Sequence, residues 1–360
     1  MATQRQVTSP LTIFGLKRIA KFPRMRALYW DEDVLYVSRG YELLRAKIEG
    51  EIVAWQTVGN YQPERWRRIT SISRLGSRLF RDGFHALTRL STDHFIAAVP
   101  KAIVTLEPGS DEFRLSHRVL RGTRPLHIAS TPDGRIYWGE YFDNRHREEV
   151  HIYTSTDRGL TWNVAYTFPK GAIRHVHNIV YDNWDNCLWV LTGDDGTECR
   201  ILKASFDFRN VEEVISGNQQ SRAVAFVPTE DALFFSSDSP FEANHVYRLD
   251  RRGNLRKLAD ISSSSIYGCR VSGAIFFSTM IEPTNVNRDQ HARLYGSHGG
   301  ENWQSLLAWH KDIWPKGLFQ FGNVLLPDGP NTSSVLALTT VAVQKDDLQT
   351  SLWRVEPILP

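Results

Sequence analysis

Cysteine is scarce in this chain: Cys187, Cys199 and Cys269 are the only three among 360 residues. Their number is odd and their spacing matches no metal-binding pattern. A disulfide framework and a cysteine-ligated zinc are therefore not expected. Long apolar runs are missing as well. No segment reaches about 18 uninterrupted apolar residues, and Met1 to Pro10 is polar, without the apolar stretch of a secretion signal. The expectation is a cytoplasmic protein with no membrane partner. Charge of one sign is also lacking, with 43 Lys and Arg against 40 Asp and Glu. The basic residues are spread along the chain, so a nucleic-acid partner is not expected. Helical periodicity is hard to find.

Aromatic side chains are plentiful: 11 Trp, 12 Tyr and 18 Phe. They suit sheet packing and flat stacking surfaces for sugars. Short runs rich in Val, Ile, Tyr, Phe and Trp recur, each placed just after a turn. Ile136-Tyr137-Trp138 follows Pro132-Asp133-Gly134, and Ala274-Ile275-Phe276-Phe277 follows Ser272-Gly273. The repeating unit is a short strand, a tight turn, a bulky strand, and a third strand with a polar loop. Seven copies start near Arg26, Gly83, Arg124, Arg174, Arg222, Ile266 and Gln320. Their spacing of about 49 residues lies in the range of propeller blades. The expected fold is all-β: a seven-bladed β-propeller of four-stranded antiparallel blades, one domain over residues 1–360. A strand near Leu11 to Ile19 should pair with Ser351 to Val355 and close the ring, removing free sheet edges.

Ser155-Thr156-Asp157-Arg158-Gly159-Leu160-Thr161-Trp162 fits the pattern S-x-D-x-G-x-x-W. Ser297-His298-Gly299-Gly300-Glu301-Asn302-Trp303 repeats its shape, and Ser205-Phe206-Asp207-Phe208 is an eroded copy. In such a turn the Asp caps amides, the Gly takes a positive φ and the Trp packs beneath. At these residues the chain resembles the Asp-box (BNR-repeat) propellers, the sialidase-like superfamily, in its carbohydrate-active branch. The resemblance implies that the boxes are structural hairpins and that sugars bind elsewhere. The arginine-bearing Phe/Tyr-Arg-Ile-Pro segment of sialidases has only Phe22-Pro23-Arg24 in its place.

In a propeller, the starts of the innermost strands line a channel whose mouth takes ligands. Here those starts are polar: His85, Arg124, His127, Arg174-His175-Val176-His177, Gln219-Gln220, Arg222 and Tyr267. The following loops add Glu140, Tyr141, Asp194, Asp238 and Glu282. His175 and His177, two apart on a strand, face the same way and could share a divalent metal ion. The pair resembles the His-x-His of oligogalacturonate lyases. In those enzymes a Gln stands three residues before the first His, where this chain has Ala172, so His127 or Gln220 is the substitute ligand.

The first functional reading is cleavage of an acidic, uronate-containing polysaccharide by β-elimination. That chemistry needs a cation for the carboxylate, a base for the adjacent proton and an acid for the leaving oxygen. Arg124 or Arg174 fits the first role, His85 or His175 the second, and Tyr141 the third. Glu140, Asp194, Gln220, Arg222, Asp238 and Glu282 are the expected substrate contacts. The alternatives are a glycoside hydrolase using two of these carboxylates, and a non-catalytic glycan-binding propeller.

Overall fold

A computed structural model describes residues 14–50 and 52–357. Nearly all regular structure is antiparallel strand, arranged as five four-stranded sheets and one eight-stranded sheet. The eight-stranded sheet consists of two four-stranded antiparallel meanders. Between them only Asn60 with Glu112 and Tyr61 with Phe113 pair, in parallel. Each meander follows the chain from an innermost to an outermost strand, then steps to the next sheet. Successive sheets pack face to face, and the inner strand Arg26–Asp31 packs against Val335–Val341 of the last sheet. The result is a closed ring, a β-propeller.

The ring closes as the sequence requires. Phe14–Pro23 pairs antiparallel with Gln349–Pro357 over its whole length, so the outermost strand of the last sheet comes from the other end of the chain. Leu11 to Ile13 of the expected closing strand lie outside the described residues.

The core lies in layers between sheets. Tyr36, Phe84, Phe95 and Val104 fill one, and Phe276, Leu294, Leu336 and Leu338 another, all nearly inaccessible. Each such large side chain contributes about 1.5–3 kcal/mol. The bulky second strands, such as Cys187–Gly193 and Ala232–Ser237, are buried at every position because both faces are covered.

The Ser155–Trp162 turn links the strands Val150–Ser155 and Asn163–Phe168. Asp157 Oδ1 accepts from the Leu160 and Thr161 amides at 3.1 and 2.9 Å. Ser155 Oγ accepts from the Gly159 amide at 2.8 Å, with Gly159 at φ +83°. Trp162 Nε1 donates to Ser116 Oγ of the preceding sheet at 2.7 Å. The Trp303 turn occupies the equivalent place between His291–His298 and Gln304–His310.

An up-and-down meander puts alternate connections at opposite ends of a sheet. Links from one sheet to the next therefore share an end with the hairpins between second and third strands, and the Asp-containing turns lie at the opposite end. The first end carries the inner-strand starts and all the polar loops singled out above.

Candidate functional site

His175 and His177 open the inner strand His175–Asp182, and the register slips between Val176 and Asn178. Both imidazoles are buried, and they meet. His175 Nδ1 lies 3.0 Å from the Phe142 carbonyl, and His177 Nδ1 lies 3.0 Å from the Ala223 carbonyl. A carbonyl only accepts, so each Nδ1 carries the hydrogen and each Nε2 is left to face inward. The two Nε2 atoms are 3.1 Å apart. Asp194 Oδ1 completes a triangle, 3.3 Å from His175 Nε2 and 3.2 Å from His177 Nε2. Three acceptors this close repel one another unless a proton or cation lies among them. Their spacing suits a small divalent ion with bonds of about 2.1 Å, whose neighbouring ligands stand about 3.0–3.4 Å apart. Carbonyl-fixed Nδ1 atoms are the usual outer support of metal-binding histidines. The donor set of two imidazoles and one carboxylate therefore fits a divalent metal.

Small residues make room for this triangle. A Cβ at Gly193 would stand 2.9 Å from the His177 ring, and one at Gly139 would collide with Val176 at 2.4 Å. Burial opposes ionisation of Asp194, yet with a proton among the three groups, hydrogen bonding and charge at His175 and His177 hold it far below the usual carboxylate range. Burial drives the His177 imidazole down to about 4.

Two arginines flank the triangle. Arg222 Nη2 is 3.1 Å from Asp194 Oδ1 and 3.4 Å from Asp238 Oδ2. Arg174 bridges Asp194 Oδ2 at 3.2 Å and Asp143 Oδ1 at 2.7 Å. Of the two readings of Arg174, receptor for a substrate carboxylate or ion pair within the fold, the geometry gives the ion pair: its guanidinium is shared by two carboxylates. Among the described residues, the buried Nε atoms of Arg174 and Arg222 have no hydrogen-bond acceptor. Burial raises Asp238 to about 7; Arg222 opposes the rise, while Glu282 and Asp194 add to it. Glu282 accepts from Ser264 Oγ at 3.0 Å beside this group.

Tyr141 leans over the triangle, its ring centroid 4.2 Å from that of His175. Burial, followed by the charges of Asp194 and Asp238, raises its hydroxyl to about 12, so it stays protonated. The positive charges of Arg222 and Arg124 oppose this rise. Arg124 makes no hydrogen bond or ion pair among the described residues. Burial, then the like charge of Arg26, lowers it to about 9.

Four sequence expectations are corrected. His85 cannot serve as a base: its Nδ1 accepts from Arg26 Nη1 at 2.8 Å and its Nε2 donates to the Arg81 carbonyl at 2.6 Å. Burial and the charges of Arg124 and Arg26 keep it neutral. His127 is not part of the metal-ligand group; its Nδ1 lies 3.0 Å from Asp328 Oδ2, and Asp194 stands in its place. Gln220 points away, donating to Glu242 and accepting from Tyr247. Its neighbour Gln219 turns inward instead, donating to the Asp194 carbonyl at 2.7 Å, because the two sit on a single 3₁₀ turn. Glu140 is buried as a structural anchor, paired with Arg121 and accepting from the His151 amide at 2.9 Å. Sequence reasoning gave Arg26 no role, although it opens the first inner strand at the position where later repeats carry polar residues.

Solved structures confirm the architecture. A WD40 β-propeller domain of Doa1 superposes with a TM-score of 0.57 at 9% identity, covering 95% of this chain and 97% of its own. A chain of the mitotic checkpoint complex gives 0.57 at 10% identity, with 99% and 98% covered. An ancestral GH74 enzyme gives 0.54 at 12% identity, covering 99% of this chain and 48% of its own. The chain is a β-propeller. No family model and no curated protein sequence matches it. At these identities the likeness shows the fold alone. Among the described residues no helix is long and apolar enough to cross a membrane.

Proposed function

We propose that this propeller is a carbohydrate-active enzyme that cleaves an acidic, uronate-containing saccharide by β-elimination at its channel mouth. Counting the two halves of the eight-stranded sheet separately, we take it to have seven blades of the Asp-box type. One observation carries the functional reading. Tyr141 is held protonated, and its hydroxyl feels the charges of Arg124, which has no ion pair among the described residues, and of Asp238, a carboxylate raised to about 7.

Each group suits one part of the chemistry. Arg124 pairs with the uronate carboxylate and stabilises charge that develops there. Asp238, partly ionised near neutrality, takes the proton from the carbon beside that carboxylate. The bond from the next carbon to the glycosidic oxygen breaks and a carbon–carbon double bond forms. The Tyr141 hydroxyl protonates the departing oxygen, and solvent returns the proton from Asp238 to Tyr141. His175, His177 and Asp194 would hold a divalent ion, which when bound supplies further positive charge toward the carboxylate. The base is thus reassigned from His85 or His175 to Asp238.

Asp238 also favours a second reading. A carboxyl that keeps its proton near neutrality is the general acid a glycoside hydrolase needs, with Glu282 or Asp194 as the second carboxylate.

A panel of acidic oligosaccharides, with and without chelator, tests both. The ultraviolet absorbance of an unsaturated product, lost in Tyr141→Phe and Asp238→Asn, is the expected result. New reducing ends without that absorbance would shift the assignment to hydrolysis. Binding without turnover would leave a glycan-binding propeller.

A further inference from the structure

One element of the molecule is built inside out. The link between the first two meanders carries two short helices, α1 (Arg65–Ile72) and α2 (Arg74–Phe80). A helix on a soluble protein turns its apolar stripe to the core. Here the polar residues turn inward. Arg67 and Thr70 hold Asp82, at 2.8 and 2.5 Å. The Arg78 guanidinium is fully buried, bonded to Asp312 at 2.5 Å, Asp347 at 3.2 Å and the Phe319 carbonyl at 2.6 Å. The apolar residues face solvent: Trp66, Ile69, Ile72, Leu75, Leu79 and Phe80 are all exposed, with Ile69 at 71% and Ile72 at 69%. Trp66 and Phe80 meet edge to face at 5.2 Å, so the two helices share one apolar surface. Ile313 and Leu318, close in sequence to Phe319, are exposed too.

The charge on this surface is predominantly positive, although Glu64, just before α1, accepts from Trp66 Nε1 at 2.7 Å. Residues 65 to 81 contain six arginines and no acidic residue. Arg65, Arg68 and Arg81 are exposed and form no ion pair among the described residues. Isolated exposed leucines need no explanation, but six exposed apolar side chains on two short helices, beside three unpaired arginines, do. Nucleic acid would use the arginines and leave the isoleucines in water. An anionic bilayer surface takes both: the side chains enter the acyl boundary while the guanidiniums meet headgroup phosphates and carboxylates.

The geometry points to α1 and α2 as a docking surface for an anionic lipid bilayer, lying on its interface without spanning it. This departs from the expectation of no membrane partner. The helices share the sheet end that carries the channel mouth, so docking brings that mouth toward the headgroups. The inference is independent of the reaction proposed above.

Flotation of the full chain with phosphatidylcholine vesicles, with and without phosphatidylserine, tests it. Binding should require phosphatidylserine and fall with salt. Arg65→Ser and Arg68→Ser should each weaken it about fivefold. Ile69→Ser/Ile72→Ser should abolish it while leaving the melting temperature unchanged, because both side chains are exposed in the folded protein. Three results overturn the proposal. The first is absence of vesicle binding by a folded protein. The second is equal binding to neutral and anionic vesicles. The third is a dimer in solution that the isoleucine variant dissociates with no lipid binding, which assigns the surface to a second copy.

Discussion

Arg124 and Arg222 are both arginines at the channel mouth, and their surroundings predict opposite behaviour. Arg124 has no counter-ion among the described residues, so its burial is a cost to the fold. Arg124→Met, which keeps the stem and removes the charge, should leave the melting temperature unchanged or raised while turnover falls about 100-fold. Arg222 separates Asp194 from Asp238. Arg222→Met strands two buried carboxylates and should cost about 3–5 kcal/mol, measured by urea unfolding. The His–His–Asp triangle predicts a metal-dependent stability. Added zinc or manganese should raise the melting temperature of the wild type and not of His177→Ala. Asp238 predicts a pH dependence. Its folded value, about 7, lies above the ordinary carboxylate value of about 3.9. Between these values the folded state keeps a proton that the unfolded state has lost. Its contribution to stability is therefore complete below about pH 4 and is lost as pH rises through 7. Asp238→Asn should gain stability relative to wild type over that window, read from unfolding midpoints at a series of pH values.

At the scale of single elements, the Asp-containing turns and the helical pair behave differently. The turn around Asp157 is a local device: one carboxylate caps two amides while Gly159 supplies the positive φ. Asp157→Ala should cost about 1–2 kcal/mol without changing turnover, since the turn lies at the end opposite the site. These turns were legible in the sequence because every contact spans a few residues. The helical pair was not read, because its inner face is set by Asp82, Asp312 and Asp347. Two of these partners lie more than 230 residues away, and no local pattern reports them. Gln219 and Gln220 show the same limit at one-residue resolution: alternation along a strand would have chosen either, and a 3₁₀ turn decided.

For the whole molecule, closure is the main device. The strand Phe14–Pro23 covers the edge Gln349–Pro357 and ties the two ends of the described chain into one sheet. Deleting residues 1–23 should expose that edge. The expected outcome is loss of a single cooperative unfolding transition and self-association, seen by calorimetry and size-exclusion chromatography.

The repeat of strand, turn and bulky strand by itself determined an all-β propeller, the closing pair of end strands and the face that carries polar residues. Those features follow from periodicity and from burial on both faces of each sheet, which any one repeat displays. Which polar residues meet was decided only by strand register and by packing between sheets. Pairing of Cys187–Gly193 with His175–Asp182 brings Asp194 to His175 and His177 within one sheet, while packing between separate meanders gives His127 to Asp328 and His85 to Arg26. A hydrogen bond or ion pair depends on side-chain positions to within a few tenths of an ångström, and a linear sequence carries no record of them.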